Sequence, residues 1–333
     1  MTRRLEVHAR RFALAGAFTI SRGARTEAEV VEVALFEEGV AGRGECVPYA
    51  HYGETVDQVF NAIEDLRPVL EDGLTREALQ TALPAGAARN AVDCALWDLE
   101  ARRAGCRVWE LDAWTAAGGA MDPGPEVTAY TLSLEPPEAM RAKAAEHAWR
   151  PLLKVKLGGP GDLDRLRAVR EGAPRARLII DANEGWDAAT YERLAPELVA
   201  LGVEMVEQPL PAGEDAALER LARPLPVCAD ERCHDRASLP ALAGRYDMIN
   251  IKLDKTGGLT EALALRGAAE AAGHRIMVGC MIGSSLAMAP AQLVAQGAAV
   301  VDLDAPLLLA EDRDAPMVYD EDGIHPPLRA LWG

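Results

Sequence analysis

Asp181, Glu207 and Asp230 each stand at the end of a short apolar run, spaced by 26 and 23 residues. That interval is about one strand plus one helix. Three carboxylates from adjacent strands can converge on a hard cation such as Mg²⁺, leaving room for water or substrate oxygens. The bland role of a single Asp after a strand is to cap the next helix. Glu207 argues against it, because Glu is a poor cap and Pro209 stands two residues on. Lys156 and Lys252 bracket the acids, one unit before and one unit after. Lys154 and Lys156 share a strand face, since side chains repeat every second residue. Lys154 is therefore expected to lower the pKa of Lys156 toward that of a general base. A solvated lysine pair is not expected between Leu153 and Leu157 in an apolar strand.

The elements that must position these groups are read from periodicity. Eight apolar runs alternate with helical stretches: 127–132, 152–157, 177–182, 204–208, 227–230, 248–253, 275–280 and 299–304. This is the texture of parallel βα units, and eight of them suggest a (β/α)₈-type barrel over residues 123–306, with an α/β fold class. Charges fall at the C-terminal ends of the runs, where barrel enzymes keep their chemistry. No insertion is long enough to make a lid. Residues 1–122 read as a separate α+β domain, with strands at 5–12, 30–36 and 42–47, a helix capped by Thr55 running to about Leu70, and an amphipathic helix from Ala87 to Ala104. The stretch AAGGAMDPGP links the two. The tail, 307–333, can return to the first domain.

Composition narrows the function classes. The 333 residues carry 35 Lys and Arg against 52 Asp and Glu, a net charge of −17 with no basic run, so nucleic acid and anionic membrane are not expected partners. Residues 276–301 hold no charge and could span a bilayer, but their Gly, Pro and Gln break them into strand, turn, helix and strand. Residues 12–20 weakly mimic a signal peptide, which Arg10 and Arg11 spoil. Six scattered cysteines without a C-x-x-C pair read as reduced thiols of a cytoplasmic protein. Cys228, Cys233 and His234 lack a fourth zinc ligand. Neither G-x-S-x-G nor a Walker-type loop occurs.

Taken with Gly44-Glu45-Cys46-Val47-Pro48-Tyr49, the helix Ala87-Ala88-Arg89-Asn90-Ala91-Val92-Asp93, and Asn250-Ile251-Lys252-Leu253-Asp254-Lys255-Thr256-Gly257-Gly258, these motifs resemble the enolase superfamily, in its muconate-lactonising subgroup, and more narrowly the dipeptide epimerases acting on L-Ala-D/L-Glu. The resemblance covers nearly the whole chain. It implies a modified (β/α)₇β barrel under a capping domain, whose loops near 19–26 and 49–54 close the mouth. It implies one Mg²⁺ per subunit on Asp181, Glu207 and Asp230, which holds the enediolate formed when a base removes the proton alpha to a carboxylate. Lys156 and Lys252, not Lys255, are then the two bases of a 1,1-proton transfer that inverts the alpha carbon, with Lys154 assisting. Asp302 and Asp304 would bind the dipeptide's ammonium, and Arg22 or Arg25 its distal carboxylate. A place in cell-wall peptide metabolism follows from the family alone, and self-association into a homo-oligomer stays open. The alternatives on the same fold are N-acylamino acid racemisation, o-succinylbenzoate synthesis and cycloisomerisation, whose substrates lack a free ammonium. A non-catalytic binding protein is opposed by the intact lysines and acids.

Overall fold

The computed structural model describes residues 3–333. Its first part is an antiparallel sheet of β1 (Arg4–Ile20), β2 (Gly23–Glu37) and β3 (Val40–Cys46). β1 runs eight residues past the expected strand, and after a shift of register between Ala13 and Phe18 it pairs with β2 again up to the hairpin tip, where Ile20 meets Gly23. The loop expected near 19–26 is thus the end of a long ribbon. Helix α1 (Val56–Asp65) starts at Thr55, whose side chain forms a capping box with Gln58. It stops short of Leu70 as a single helix, because Pro68 cannot supply the N–H that continuation needs, and a separate turn of helix, Arg67–Glu71, follows. Helix α2 (Ala87–Ala104) has the expected bounds. It lies so close to β3 that a Cβ at Gly44 would stand 2.1 Å from the Ala91 carbonyl oxygen.

The barrel has eight parallel strands: β4 (Tyr130–Leu132), β5 (Leu152–Lys156), β6 (Arg177–Asp181), β7 (Val203–Glu207), β8 (Val227–Ala229), β9 (Met248–Ile251), β10 (Arg275–Gly279) and β11 (Val300–Asp302). Every expected run contributes one of them. The ring closes between first and last through a parallel bridge of Thr128 with Val301. Among the described residues no α-helix follows β11, and the chain instead enters a short 3₁₀ turn, Ala305–Leu308. The uncharged segment 276–301 forms β10, helix α3 (Ser285–Val294) and β11. Among the described residues no helix is long and apolar enough to cross a membrane.

Two apolar layers fix the barrel. Its wall packs against the surrounding helices, and its floor is one buried cluster: Ala129, Leu152, Ile179, Met205, Cys228, Met248, Met277 and Val300. Burial of that floor keeps water from the bottom of the barrel, so polar chemistry is confined to the other end. Cys228 belongs to this floor, and the six cysteines are free thiols. The tail runs back over the first part: Trp332 donates its indole N–H to the Cys94 carbonyl, and the Gly333 amide donates to Asp98.

Candidate active site

Strand register brings the acids together. Asp181 and Glu207 are paired at the ends of β6 and β7, and Asp230 follows β8. Ligand oxygens of the three lie within 4.8 Å of one another, and this is the one such His, Cys, Asp or Glu group among the described residues. All three are buried. Each divides its two oxygens the same way. One is tied to the scaffold: Asp181 Oδ1 accepts from the Asn183 amide at 2.8 Å, Glu207 Oε1 from Asn250 Nδ2 at 2.7 Å, and Asp230 Oδ1 from Lys255 Nζ at 2.7 Å. The other faces a lysine: Lys156 Nζ lies 2.6 Å from Asp181 Oδ2, Lys154 Nζ 2.6 Å from Glu207 Oε2, and Lys252 Nζ 2.7 Å from Asp230 Oδ2.

Titration follows from these pairs. Burial pushes all three carboxyls upward, but Lys156 with Lys154 holds Asp181 below the usual range, and Lys252 with Lys255 does the same for Asp230. Glu207 is instead pushed up to about 7 by burial and by the charge of Asp181. Burial would lower Lys252, yet Asp230 and Glu207 raise it. Lys154 is likewise raised, against its burial, by Asp302, Glu207 and Asp181. The expected influence of Lys154 on Lys156 therefore meets an obstacle in this arrangement: three acids within 3.2 Å neutralise Lys154 locally.

Above the acids is a cavity of about 410 Å³, a size suited to a small ligand. Lys154, Lys156, Lys252, Asp302 and Asp304 line its barrel side, and Phe18, Tyr49 and Tyr52 its roof. Asp302 Oδ2 accepts from Lys154 at 2.7 Å, and Asp304 Oδ2 accepts from the Thr131 amide at 2.6 Å. Asp304 is pushed up to about 7 by burial and by Asp302. Arg22 and Arg25 both reach the cavity, but their partners differ. Arg22 Nη2 pairs with Glu231 Oε1 at 2.8 Å, whereas the Arg25 guanidinium stacks over the Tyr49 ring at 5.1 Å.

Sequence reasoning left Asn183, Glu231, Asn250 and Lys255 without roles. A signal existed for Glu231 and Lys255, since each is a charge in a buried stretch beside a candidate residue. Asn250 offered none, because a strand Asn is recognisable as a carboxylate partner only once Glu207 is seen beside it.

Residues 3–111 match the mandelate racemase / muconate lactonizing enzyme N-terminal domain, and residues 138–329 the enolase C-terminal domain-like family. The chain belongs to the enolase superfamily. An L-Ala-D/L-Glu epimerase of Escherichia coli is 49% identical over 92% of this chain and 95% of its own. An N-acetyl-D-glutamate racemase of Pseudoalteromonas is 42% identical over 91% and 95%. An enolase family member from Agrobacterium tumefaciens with homology to dipeptide epimerases, solved with sodium and L-Ala-L-Glu, superposes with a TM-score of 0.96 at 53% identity, covering 99% of this chain and 100% of that one. This superfamily member is accordingly an isomerase; its acidic triad is a group that could hold a metal ion, and a dipeptide epimerase of Cytophaga hutchinsonii was solved with Mg.

Proposed function

We propose that the protein is a Mg²⁺-dependent dipeptide epimerase that inverts the alpha carbon of the C-terminal residue of L-Ala-D/L-Glu-type dipeptides. The observation carrying this reading is that Lys156 and Lys252 pair with Asp181 and Asp230 from opposite sides of one acidic triad. Asp181, Glu207 and Asp230 would hold the ion. They fit it: an all-oxygen donor set, converging and buried. A cation bound there supplies electrostatic stabilisation for the charge that builds on the substrate carboxylate as the alpha proton leaves.

The remaining steps belong to the side chains. A substrate between the lysines loses its alpha proton to one Nζ and gains a proton on the opposite face from the other, which inverts the centre. The lysine that takes the proton must first be neutral, so its carboxylate partner must be engaged elsewhere, while the lysine that returns a proton stays charged. Asp302 and Asp304 bind the free ammonium from the β11 side. Arg25, with its guanidinium in no carboxylate pair among the described residues and on the cavity roof, binds the distal carboxylate in preference to Arg22. The barrel, 123–306, carries the chemistry, and residues 1–122 with the tail 307–333 form the cap. Free thiols fit a cytoplasmic setting.

The Pseudoalteromonas relative supports a second reading, racemisation of an N-acylated amino acid. The substrate's amino group separates the two, because an acylated nitrogen carries no charge for Asp302 and Asp304 to bind. A library of dipeptides and N-acyl amino acids, incubated in deuterated buffer with mass readout, tests both. Deuterium at the alpha carbon of dipeptides with an acidic second residue supports the first reading, and label confined to N-acyl substrates overturns it.

A further inference from the structure

Arg22 occupies the tip of the β1–β2 hairpin, and its guanidinium is directed at the barrel rim. Nη1 donates to the Asn183 carbonyl at 3.1 Å and to Glu184 Oε2 at 3.3 Å, while Nη2 donates to Glu231 Oε1 at 2.8 Å and to the Tyr49 hydroxyl at 3.3 Å. Ser21 adds a hydrogen bond from its hydroxyl to the same Asn183 carbonyl at 2.9 Å. The receiving corner is a left-handed turn, with φ of 43° at Asn183 and 62° at Glu184, directly after β6. The second lid segment fastens to it as well, through His51 Nε2 at 2.9 Å from Glu184.

Glu231 gives this contact its weight. Its side chain is 1% exposed, and it stands next to Asp230. Removing one partner of a buried pair leaves an uncompensated charge, so the closed hairpin is favoured as long as Glu231 is sealed from water. Arg25 follows Arg22 by three residues on β2, in register with Phe18 on β1. The seat of Arg22 thereby sets where Arg25 lies.

We propose that Arg22 is a positioning residue: its pair with Glu231 bolts the hairpin tip over the barrel mouth and carries Arg25 into place, without itself binding substrate. The inference rests on the reading of Arg25 given above.

Hydrogen–deuterium exchange of the peptide covering 18–26, in metal-loaded, substrate-free enzyme, tests it without catalysis. Arg22→Met and Glu231→Gln should each speed exchange there about tenfold, with no further gain in the double variant, because both break one pair. Arg25→Met should leave it unchanged. Arg22→Lys, which keeps one charge contact but not the fork, should fall between. In turnover, Arg22→Met should lower kcat/KM for both L-Ala-L-Glu and L-Ala-L-Gln, more for the former because Arg25 loses its seat, and in an Arg25→Met background it should lower the two by the same factor. Unchanged tip exchange in Arg22→Met overturns the bolt. A selective loss on L-Ala-L-Glu from Arg22→Met that persists in the Arg25→Met background overturns it too, by making Arg22 the substrate's partner. If wild type turns over neither dipeptide, the functional reading fails while the exchange data still decide the bolt.

Discussion

Lys154 on β5 donates a 2.7 Å hydrogen bond to Asp302 on β11, across the closing seam of the barrel. The lysine beside one proposed base is thus the partner of one proposed ammonium ligand. Among the described residues Asp304 has no cation of its own: its Oδ2 takes the Thr131 amide. The two acids therefore differ, and Asp304 is the one with charge to offer a substrate.

Asp304→Asn should lower kcat/KM on L-Ala-L-Glu by about 2–4 kcal/mol in transition-state binding, the scale of losing one partner of a desolvated charge pair. N-acetylating the substrate should cost wild type a similar amount and the variant little more. Wild-type turnover of N-acetyl amino acids as fast as free dipeptides would refute the assignment. Asp302→Asn carries an added effect, because it also takes a carboxylate from Lys154.

Burial and Asp302 raise Asp304 to about 7, so at lower pH it is protonated and neutral. The sign follows: ammonium binding improves as pH rises through that value. The ratio of kcat/KM for L-Ala-L-Glu to that for its N-acetyl derivative should increase from about pH 6 to about pH 8, and a flat ratio would remove Asp304 from the site.

Lys156→Ala and Lys252→Ala should each abolish epimerisation while keeping alpha-proton exchange on one stereoisomer, with Lys156 serving the L-configured glutamate and Lys252 the D-configured one. NMR in deuterated buffer reads this directly. Near wild-type epimerisation by either variant contradicts a two-base mechanism.

Asp181→Asn, Glu207→Gln and Asp230→Asn should each lose metal-dependent turnover. Circular dichroism should keep its shape, since the changes are nearly isosteric. Metal-free Asp181→Asn should nevertheless unfold more easily, by about 3 kcal/mol, because Lys156 and Lys154 lose a buried counter-charge. A chelator-treated Asp181→Asn as stable as chelator-treated wild type would show that these lysines are neutral in the metal-free protein.

The sequence by itself determined where the strands lie and which of their ends carry acids and lysines. Those features are local: alternation, apolar runs and one-unit spacing are properties of twenty to thirty consecutive residues, and the right-handed βα repeat leaves one way to assemble them. The bounds of α2 and the division of 276–301 into strand, helix and strand follow from the same local rules. Even the break after α1 was written in Pro68.

Only the tertiary structure decided what each charge pairs with. Lys154 meets Asp302, 148 positions on, and Arg22 meets Glu231, 209 positions on, through the closure of the barrel and the folding of the cap onto its rim. β1 passes Phe12 because β2 pairs again with Phe18, Thr19 and Ile20 and Leu14 bridges to Leu309, although Ala13, Leu14, Ala15, Gly16 and Ala17 show no alternation of their own. A side chain's type states which contacts it can make. Which of those it does make depends on groups that only long-range folding brings within about 3 Å, and there the low dielectric of a buried site turns pairing into function.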